Sequence, residues 1–587
     1  MNNAANTIDA KSKSLRDLLK ERRYKLGYFQ REYKWERDNV EDLIIDLERS
    51  FFSNYDITHS QENVANYDKY YMGPIVLYQE EAEFSIVDGQ QRLTSFTLLL
   101  IYLNHLQDEV LKQKGKLNEY IYSEFYGKNG YNLNIDERIT VLDFLYTGRQ
   151  INSDQLPTNE SCLNLIERYV DIEELFPTRL KARQILPLFV NWITEKLVFI
   201  EILTQTSESA YTIFETMNDR GLNLTPTEML KSFLLSKAKD EDKIRELDLI
   251  WKSKISRLKG FSTEEDLDFF RAWFRGKYAI TIRTSEKGSI NEDFEKIGTR
   301  FHNWIQEKHD KLLELKNPSD FYHFVKSDFQ FFSDVYIKLL SEERAPEVAE
   351  NTLKLISYKG ISQSLSFPLI LAPLQKTDDE ETLNTKIDLV INFIDSLGIF
   401  RLLLNEPITH SSIRNSLYIK VKDIRNIELD DLKSRFKKEI EELQKKFDLE
   451  TDYIQFNSSY AKYLLARIFK NANVSIPFEN IFFQRRKDSY VLYQFFSQSD
   501  VEAEVHKMHT ALKDLIIQSL SSFCLIPRMD LIEIEKMPIS KRINHLISNK
   551  LINEFNDPKE FDPQNLKDFF VERNKRMKQN IISKWKI

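Results

Sequence analysis

The chain has 587 residues and a mass of 69.8 kDa, which is larger than one hydrophobic core supports and therefore favours two to four domains. Hydrophobic residues make up 42% of the chain and aromatic residues 12%, and this apolar content excludes a largely disordered protein. A net charge of −8 excludes a uniformly basic DNA-coating surface but leaves room for local basic patches.

The first ninety residues are predicted to contain two helices and two strands. The helices are expected over residues 11–24 and around residues 40–47, where apolar side chains recur on one face. The strands are expected at residues 74–78 and 83–87, which are rich in Val, Ile and aromatic side chains. The second strand ends at Asp88-Gly89 and an apolar helical pattern follows at once. The sequence therefore predicts a strand, a tight turn and a buried helix at this point.

The rest of the chain is predicted to be mainly helical. A strand is expected at residues 197–203 and a helix over about residues 208–216. Thr225 is expected to cap another helix, because Pro226 suits the first helical position. Amphipathic helix with short breaks dominates residues 240–435. These patterns predict an α+β, predominantly helical fold. The predicted domains cover residues 1–240, 241–435 and 436–587.

The turn that begins at Asp88 has the residue types of an anion-binding site. A strand that runs directly into a helix exposes the first backbone N–H groups of that helix, and the helix dipole favours a bound anion there. Gly89 lets the backbone approach a ligand, while Gln90 and Gln91 add amide donors. Arg92 adds a planar charged group suited to phosphate, and Asp88 is a candidate to hold a divalent metal ion or to orient a water. Residue types alone fit an ordinary turn equally well.

Two further polar clusters interrupt apolar helical patterns in the same part of the chain. They are Gln30-Arg31 and Asn218-Asp219-Arg220-Gly221. Binding sites are usually built from such breaks between helices, so the three clusters together suggest one shared pocket. This interpretation requires that Arg92 is not locked in the interior against a carboxylate, and that there is space beside Gly89.

Three motifs, taken in order, resemble the N-terminal domain of GmrSD-type restriction proteins. They are Phe29-Gln-Arg-Glu-Tyr-Lys-Trp35, Val87-Asp-Gly-Gln-Gln-Arg-Leu-Thr94 and Phe214-Glu-Thr-Met-Asn-Asp-Arg-Gly-Leu-Asn-Leu-Thr225, the last of which is followed by Leu230-Lys-Ser232. The resemblance covers roughly residues 14–240, and the family includes the phosphorothioate-sensing SspE-like proteins. It implies a ParB/sulfiredoxin-like α/β domain that binds and hydrolyses nucleoside triphosphates and couples hydrolysis to attack on modified phage DNA.

The resemblance also implies roles for individual residues and for cofactors. Catalytic roles are implied for Asp88, Gln91 and Arg92. Roles in nucleotide binding, or in coupling it to the rest of the protein, are implied for Gln30, Arg31, Gly89, Gln90, Thr94, Asn218, Asp219 and Arg220. The implied cofactors are a nucleoside triphosphate, GTP or ATP, and Mg²⁺ held by Asp88. In this scheme Arg92 and the helix N–H groups stabilise charge on the transferred phosphoryl group.

The C-terminal region is similar in pattern to an HNH-type nuclease domain that has lost its catalytic residues. Leu492–Ser497 is the counterpart of the family's first motif and places Gln494 at the histidine position. In the counterpart of the second motif, Ser522 and Leu531 replace two asparagines. These residues cannot activate water or hold a catalytic metal ion, so we predict a folded domain without HNH nuclease activity. The basic segment 573–580 suggests either a solvated helix or a phosphate contact.

The leading functional hypothesis is a nucleoside triphosphatase of an anti-phage, restriction-like defence system that senses or acts on foreign or modified DNA. Its expected partners are DNA and a nuclease or other defence protein. One alternative is a non-enzymatic ParB-like DNA-binding or regulatory module, and another is an NTP-dependent DNA endonuclease with an unrecognised site. Two isolated cysteines, no signal-peptide pattern and no apolar run near ~20 residues predict a cytoplasmic protein without a membrane span.

Overall fold

The computed structural model describes residues 9–26, 33–80, 83–112, 116–125, 127–148, 160–206, 209–210, 213, 225–238, 240–283, 290–345, 352–358, 360–450, 453–457, 460–469, 489–495, 515–549, 551–552 and 566–586. Contacts within the chain divide it into two compact units. The first unit comprises residues 1–251 and 315–322, and the second unit comprises residues 252–314 and 323–587.

Five strands of the first unit form one mixed sheet, and two more form a separate hairpin. The strands of the sheet are β1 (Asp9–Ser14), β2 (Tyr24–Leu26), β3 (Tyr70–Glu80), β4 (Glu83–Asp88) and β7 (Leu197–Thr204), and those of the hairpin are β5 (Tyr122–Phe125) and β6 (Lys128–Tyr131). The order across the sheet is β1-β7-β3-β4-β2. β2 pairs with β4 and β3 with β7 in parallel, whereas the β3–β4 and β1–β7 pairs are antiparallel.

The helices of the first unit pack around this sheet and around each other. They are α1 (Leu15–Leu19), α2 (Arg37–Phe52), α3 (Gln90–Leu111), α4 (Asn118–Ile121), α5 (Ile139–Thr147), α6 (Glu160–Leu175), α7 (Leu186–Lys196) and α8 (Pro226–Ser236). In α3 every residue from Leu93 to Asn104 is buried, so this helix runs through the core of the unit and has no solvated face along that stretch. Its N-terminus follows directly on β4, which places the Asp88–Gly89 turn at the end of a buried helix.

Strand direction determines which parts of the chain meet at this turn. Leu26, the last residue of β2, lies opposite Ile86 of the parallel strand β4. Because parallel strands end at the same edge of a sheet, the chain leaves β2 at the edge where β4 turns into α3. The antiparallel strand β3 pairs Val76 with Asp88, and its register is interrupted between Tyr71 and Pro74. The irregular part of β3 therefore borders the same edge.

The described part of the second unit is mainly helical. Helix α9 (Glu241–Lys259) runs from the first unit into the second, and α12 (Pro318–His323) also ends there. The other helices as far as the C-terminal region are α10 (Glu265–Lys277), α11 (Asp293–Lys308), α13 (Gln330–Arg344), α14 (Thr352–Tyr358), α15 (Gln363–Leu371), α16 (Glu380–Leu403), α17 (His410–Asp423) and α18 (Leu429–Glu450). Aromatic side chains fill much of the core, with Phe269, Trp273 and Phe329 in mutual contact.

The C-terminal region combines a two-stranded antiparallel sheet with helices. The strands are β8 (Tyr490–Gln494) and β9 (Phe523–Pro527), and the helices are α19 (Ala461–Phe469), α20 (Leu531–Glu535), α21 (Ile539–Ser548) and α22 (Leu566–Lys584). A buried ion pair joins Arg467 to Asp395 with N–O distances of 2.7 and 2.9 Å. Trp585 donates its indole N–H to the same carboxylate at 2.8 Å. This network ties the C-terminal helices to α16.

The structure confirms the predicted α+β, predominantly helical class, with one small mixed sheet. The strands predicted at 74–78, 83–87 and 197–203 are present and extend slightly further, and Thr225 caps α8 through Glu228 in a capping box. The helix predicted over residues 11–24 is wrong, because residues 9–14 pair with β7 as a strand and only Leu15–Leu19 is helical.

Other sequence predictions remain open. The helix predicted over residues 208–216 falls mostly outside the described residues. Of the predicted domain boundaries, the one at 435/436 lies inside α18, and the division of the second unit into two domains stays a prediction. Among the described helices, none is both long and apolar enough to pass through a bilayer.

Candidate functional site

The turn between β4 and α3 has a geometry that only glycine accommodates easily. Gly89 is the N-cap of α3 and has a φ of 94°, in the left-handed region. A Cβ at this position would lie 2.9 Å from Cγ1 of Ile75. Gly89 has no side chain with which to cap the helix, and the first bond of the helix runs from the N–H of Leu93 to its carbonyl at 3.0 Å. The N–H groups of residues 90–92 therefore have no acceptor within the helix.

Gln90 is the first residue of α3 and its side chain is a buried polar group without a partner. The residue is 3% exposed, and among the described residues neither the oxygen nor the nitrogen of its amide makes a hydrogen bond. A buried polar group left without a partner costs about 1–3 kcal/mol, so such a group in a native protein indicates a missing water or ligand atom. Gln90 therefore points to a polar group bound beside the start of α3.

Arg92 crosses from α3 to the irregular part of β3. Its Nη1 donates to the carbonyl of Met72 at 3.1 Å, and its Nη2 lies 3.3 Å from Oδ2 of Asp88. Gly73 makes room for the guanidinium, since a Cβ at Gly73 would be 2.3 Å from Nη1. The side chains of Arg92 and Asp88 remain 21% and 29% exposed. Partly exposed ion pairs of this kind contribute little net stability, so a stronger anion can compete for the arginine.

An anion site at this turn requires that Arg92 is not locked in the interior against a carboxylate and that there is space beside Gly89. The observed contacts meet these two conditions only in part. Arg92 does contact a carboxylate, but the two side chains are partly exposed and not fully enclosed in the interior. The side of Gly89 that faces Ile75 is filled, so the expected space beside Gly89 is absent on that side. Asp88, Gly89, Gln90 and Arg92 are thus brought together at one turn.

Gln91 is held by the main chain on the other side of the turn. Its Oε1 accepts the N–H of Lys34 at 2.9 Å, and the residue is buried. The neighbouring Tyr33 is fully buried and its hydroxyl lies 2.8 Å from Oγ of Ser95, while burial raises the pKa of Tyr33 to about 12. Gln91 and Ser95 therefore fasten residues 33 and 34 to the first turns of α3. These contacts favour a positioning role for Gln91, whose catalytic role stays a prediction.

Thr94 lies below the turn, in the interior of the first unit. It is 1% exposed, and its Oγ1 accepts a hydrogen bond from Nη1 of the buried Arg138 at 3.3 Å. This placement supports a structural contribution from Thr94, since its hydroxyl faces another buried side chain. Its predicted contact with a nucleotide stays a prediction.

The remaining predicted site residues, Gln30, Arg31, Asn218, Asp219 and Arg220, lie outside the described residues. The described residues next to the first pair lie close to the turn, because Leu26 is paired with Ile86 and Lys34 is bonded to Gln91. Sequence reasoning missed the roles of Tyr33, Lys34, Met72 and Gly73. Tyr33 and Lys34 fall within the first motif, and that was the one available signal for them.

Lys231, from the segment that follows the third motif, forms a buried ion pair. Its Nζ lies 2.6 Å from Oδ1 of Asp248 on α9, and both side chains are almost completely buried. A buried pair with this geometry is costly to break by removing one partner. Lys231 therefore fixes α8 to the start of α9 and does not present its charge to a ligand.

In the C-terminal region two described residues at the positions predicted to correspond to HNH catalytic residues have structural partners. Gln494 donates its amide to the carbonyl of Ile517 at 3.0 Å, and the Ser522 hydroxyl donates to the carbonyl of Ile516. Arg573 is buried and donates to the carbonyls of Ser521 and Phe523. Arg573 is thus neither solvated nor available to a phosphate, which corrects both interpretations of segment 573–580 for this residue.

Comparison with known proteins relates the first unit to one family. Residues 15–235 match the family described as GmrSD restriction endonuclease, N-terminal domain. The matched segment includes the sheet from β2 onward and the Asp88–Arg92 turn. A comparison with curated proteins found no match. Residues 15–235 are therefore similar to the N-terminal domain of a restriction endonuclease, as the motifs of the sequence indicate.

Proposed function

We propose that the first unit binds a nucleoside triphosphate by its phosphates at the β4–α3 turn, hydrolyses it with Mg²⁺, and serves a restriction-like defence against phage DNA. The observation that carries this proposal is the buried amide of Gln90, which has no hydrogen-bond partner among the described residues and lies beside the uncapped start of α3. A helix N-terminus favours an anion through its free N–H groups and its dipole. The Gln90 amide supplies a further polar group that needs a partner.

The residues of the turn fit a phosphate in charge as well as in geometry. Arg92 uses one donor of each terminal nitrogen on Met72 and Asp88, and its guanidinium has further N–H groups for a phosphate oxygen. A bound phosphate competes with Asp88 for Arg92, which frees the carboxylate as it binds. Exchange between these two acceptors links anion binding to the position of Asp88.

The surroundings of Asp88 suit Mg²⁺ bound together with substrate phosphates better than a metal ion whose ligands all come from the protein. The described residues contain no group of three or more His, Cys, Asp or Glu side chains placed to hold a metal ion. Mg²⁺ is commonly bound by one or two carboxylates together with substrate phosphates and water, and Asp88 supplies such a carboxylate at the surface. When bound, the ion neutralises charge on the phosphates. Asp88 orients it, and Arg92 stabilises charge that develops on the transferred group.

The family match supports the wider parts of the proposal. The matched family is named for a restriction endonuclease, so we infer that this chain acts on or senses foreign or modified DNA. We also infer a ParB/sulfiredoxin-like origin for the first unit, in which a mixed sheet delivers one buried helix to the site. Because the C-terminal positions 494 and 522 carry bonded amide and hydroxyl groups, cleavage of DNA is assigned to a partner nuclease.

Release of inorganic phosphate from GTP and ATP tests the proposal. The full chain is assayed with Mg²⁺, with and without phage DNA, and compared with Arg92→Ala and Gln90→Leu. Arg16→Ala is the control, because Arg16 forms an exposed ion pair with Glu195 in the same unit. We expect turnover in the wild type and the control, and a loss of about 100-fold or more in Arg92→Ala. Absence of turnover in the wild type, or equal turnover in Arg92→Ala, refutes hydrolysis at this turn.

A second candidate is a nucleotide- or DNA-binding module without turnover. The bond from Lys34 to Gln91 favours it, because that bond engages the side chain oxygen most suited to orient an attacking water. Binding of a fluorescent triphosphate that is lost in Gln90→Leu and Arg92→Ala, without phosphate release from the wild type, selects this candidate.

A further inference from the structure

The second unit contains a cavity of about 500 Å³ among helices α10, α13, α14 and α15. One face of α10 lines it with residues at the spacing of a single helical stripe, Asp268, Arg271, Ala272 and Arg275. The opposite wall includes Tyr336 and Glu343 of α13, together with Ser357, Gly360 and the start of α15. Its size lies within the ~300–1,000 Å³ that small-molecule sites occupy.

Arg275 brings a positive charge into the wall of this cavity without a carboxylate partner. Its Nε and Nη2 both donate to the carbonyl of Phe294, at 3.1 and 3.0 Å, and its guanidinium carbon lies 3.9 Å from the centre of the Phe294 ring. It forms no ion pair with any residue that the structure describes. Burial and the nearby Arg271 lower the pKa of Arg275 to about 10, so the side chain is still charged at neutral pH. The cavity wall therefore holds a cation that makes no direct ion pair with a described residue, although the charges of Glu295 and Asp268 act on it in the opposite direction to burial.

The two carboxylates that line the cavity form no described ion pair with Arg275, and each has other partners. Asp268 accepts a hydrogen bond from Nη1 of Arg271 at 2.9 Å. Glu343 accepts from the hydroxyl of Ser357 at 2.5 Å and from the amide of Gln363. Arg271 still has a buried Nε–H group without an acceptor in the described part of the chain. The guanidinium groups of Arg271 and Arg275 can thus donate further hydrogen bonds beside the cavity.

The start of α15 adds hydroxyl and backbone donors to the same wall. The helix has nine residues, and its N-cap Ser362 makes no side-chain cap bond. Its Oγ lies instead 2.8 Å from Oγ of Ser364. The first bonds of the helix run from the N–H groups of Leu365 and Ser366 to the carbonyl of Ser362. The N–H groups of residues 363 and 364 precede them and lie at the positive end of the helix dipole.

We propose that this cavity binds the phosphate group of a small molecule between Arg271, Arg275 and the serine-bearing start of α15. Guanidinium forks, hydroxyls and helix N–H groups are the donors that proteins use for phosphate, and here they surround one space. A phosphate group would also be an anion in direct contact with Arg275, which pairs directly with no described carboxylate. The site is separate from the β4–α3 turn and does not depend on the function proposed for that turn.

Calorimetric titration of the full chain with inorganic phosphate tests the site, with acetate as the chemical control. Arg92→Ala is present throughout, so that the β4–α3 turn does not contribute. Arg275→Met removes the cation, and Ser364→Glu places a like charge at an exposed position on the rim. Arg257→Met is the control, because Arg257 is an exposed arginine paired with Asp334 in the same unit.

We expect phosphate to bind, and its affinity to fall at least about tenfold in both cavity variants while changing less than about twofold in the control. Ser364→Glu decides the outcome if Arg275→Met does not fold, since Ser364 is exposed. No phosphate binding to the Arg92→Ala chain, unchanged affinity in Ser364→Glu, or acetate binding as tight as phosphate overturns the proposal.

Discussion

Replacing Gly89 with alanine tests whether the turn into α3 requires glycine for the two reasons that the structure gives. The residue has a φ of 94°, which is unfavourable for any side chain, and a Cβ would lie 2.9 Å from Cγ1 of Ile75. Ile75 is fully buried in β3, so it cannot move away without disturbing the core. Both effects act in the folded state and should lower the free energy of unfolding.

The two costs can be estimated separately. A left-handed conformation costs a residue with a Cβ roughly 1–2 kcal/mol. Overpacking a buried contact adds about 1–3 kcal/mol. Gly148→Ala provides the matched control, because Gly148 has a φ of 65° but no atom within 4 Å of the added Cβ. We therefore expect Gly148→Ala to show only the first cost, and Gly89→Ala to be less stable by a further ~1–3 kcal/mol.

Hydrogen exchange of peptides from α3, measured by mass spectrometry over a urea series, reports this difference for the first unit alone. It avoids the assumption that a chain of two units unfolds in one step. Equal stability of Gly89→Ala and Gly148→Ala would refute the steric part of the reasoning. The geometry of the proposed phosphate site at this turn would then be in error as well.

Gly73→Ala should displace the guanidinium of Arg92, because the added Cβ would lie 2.3 Å from Nη1. Phosphate release should then fall as strongly as in Arg92→Ala, and near-normal phosphate release would contradict the placement of Arg92. Arg467→Met removes the two guanidinium donors of the buried Asp395 carboxylate, while the indole N–H of Trp585 remains, and should lower the stability of the second unit by about 3–5 kcal/mol, followed by hydrogen exchange of α16 peptides over a urea series. Burial raises the pKa of Tyr33 to about 12 from its ordinary value of 10.0, so its contribution to stability is full below pH 10 and is lost as the pH rises toward 12. Tyr33→Phe should reduce, but not abolish, the loss of stability at alkaline pH, measured as the pH dependence of the unfolding midpoint, because burial also raises the pKa of other tyrosines such as Tyr102 and Tyr120.

The sequence was sufficient where the structure follows from neighbouring residues. The β4–α3 turn was predictable, because an apolar strand, Asp-Gly and an apolar helical pattern occur consecutively. The start of α8 was predictable for the same reason, since Thr225, Pro226 and Glu228 form a local capping box. Local patterns also gave the correct fold class.

The sequence was insufficient where distant residues decide the outcome. Residues 9–14 form a strand because β7 pairs with them, and although residues 197–203 were predicted as a strand, no local pattern shows that residues 9–14 pair with it. The same limit applies to Gln91, whose side chain is engaged by the backbone of Lys34, and to Arg573, which donates to carbonyls about fifty residues earlier in the chain. Charge and polarity alone did not distinguish these fixed side chains from ligand-binding ones.

The pairing of β1 with β7 has a consequence for how the chain is made. Asp9 lies opposite Leu203, so about 190 further residues must be synthesised after β1 before its partner strand β7 is complete. At typical rates of synthesis, about 5–20 residues per second, the interval is roughly 10–40 s. During that time the amino-terminal segment has no native strand to join, and a nascent chain released before residue 204 would leave β3 as an open edge. Such fragments should be captured by chaperones or aggregate, whereas chains that extend past β7 close the sheet.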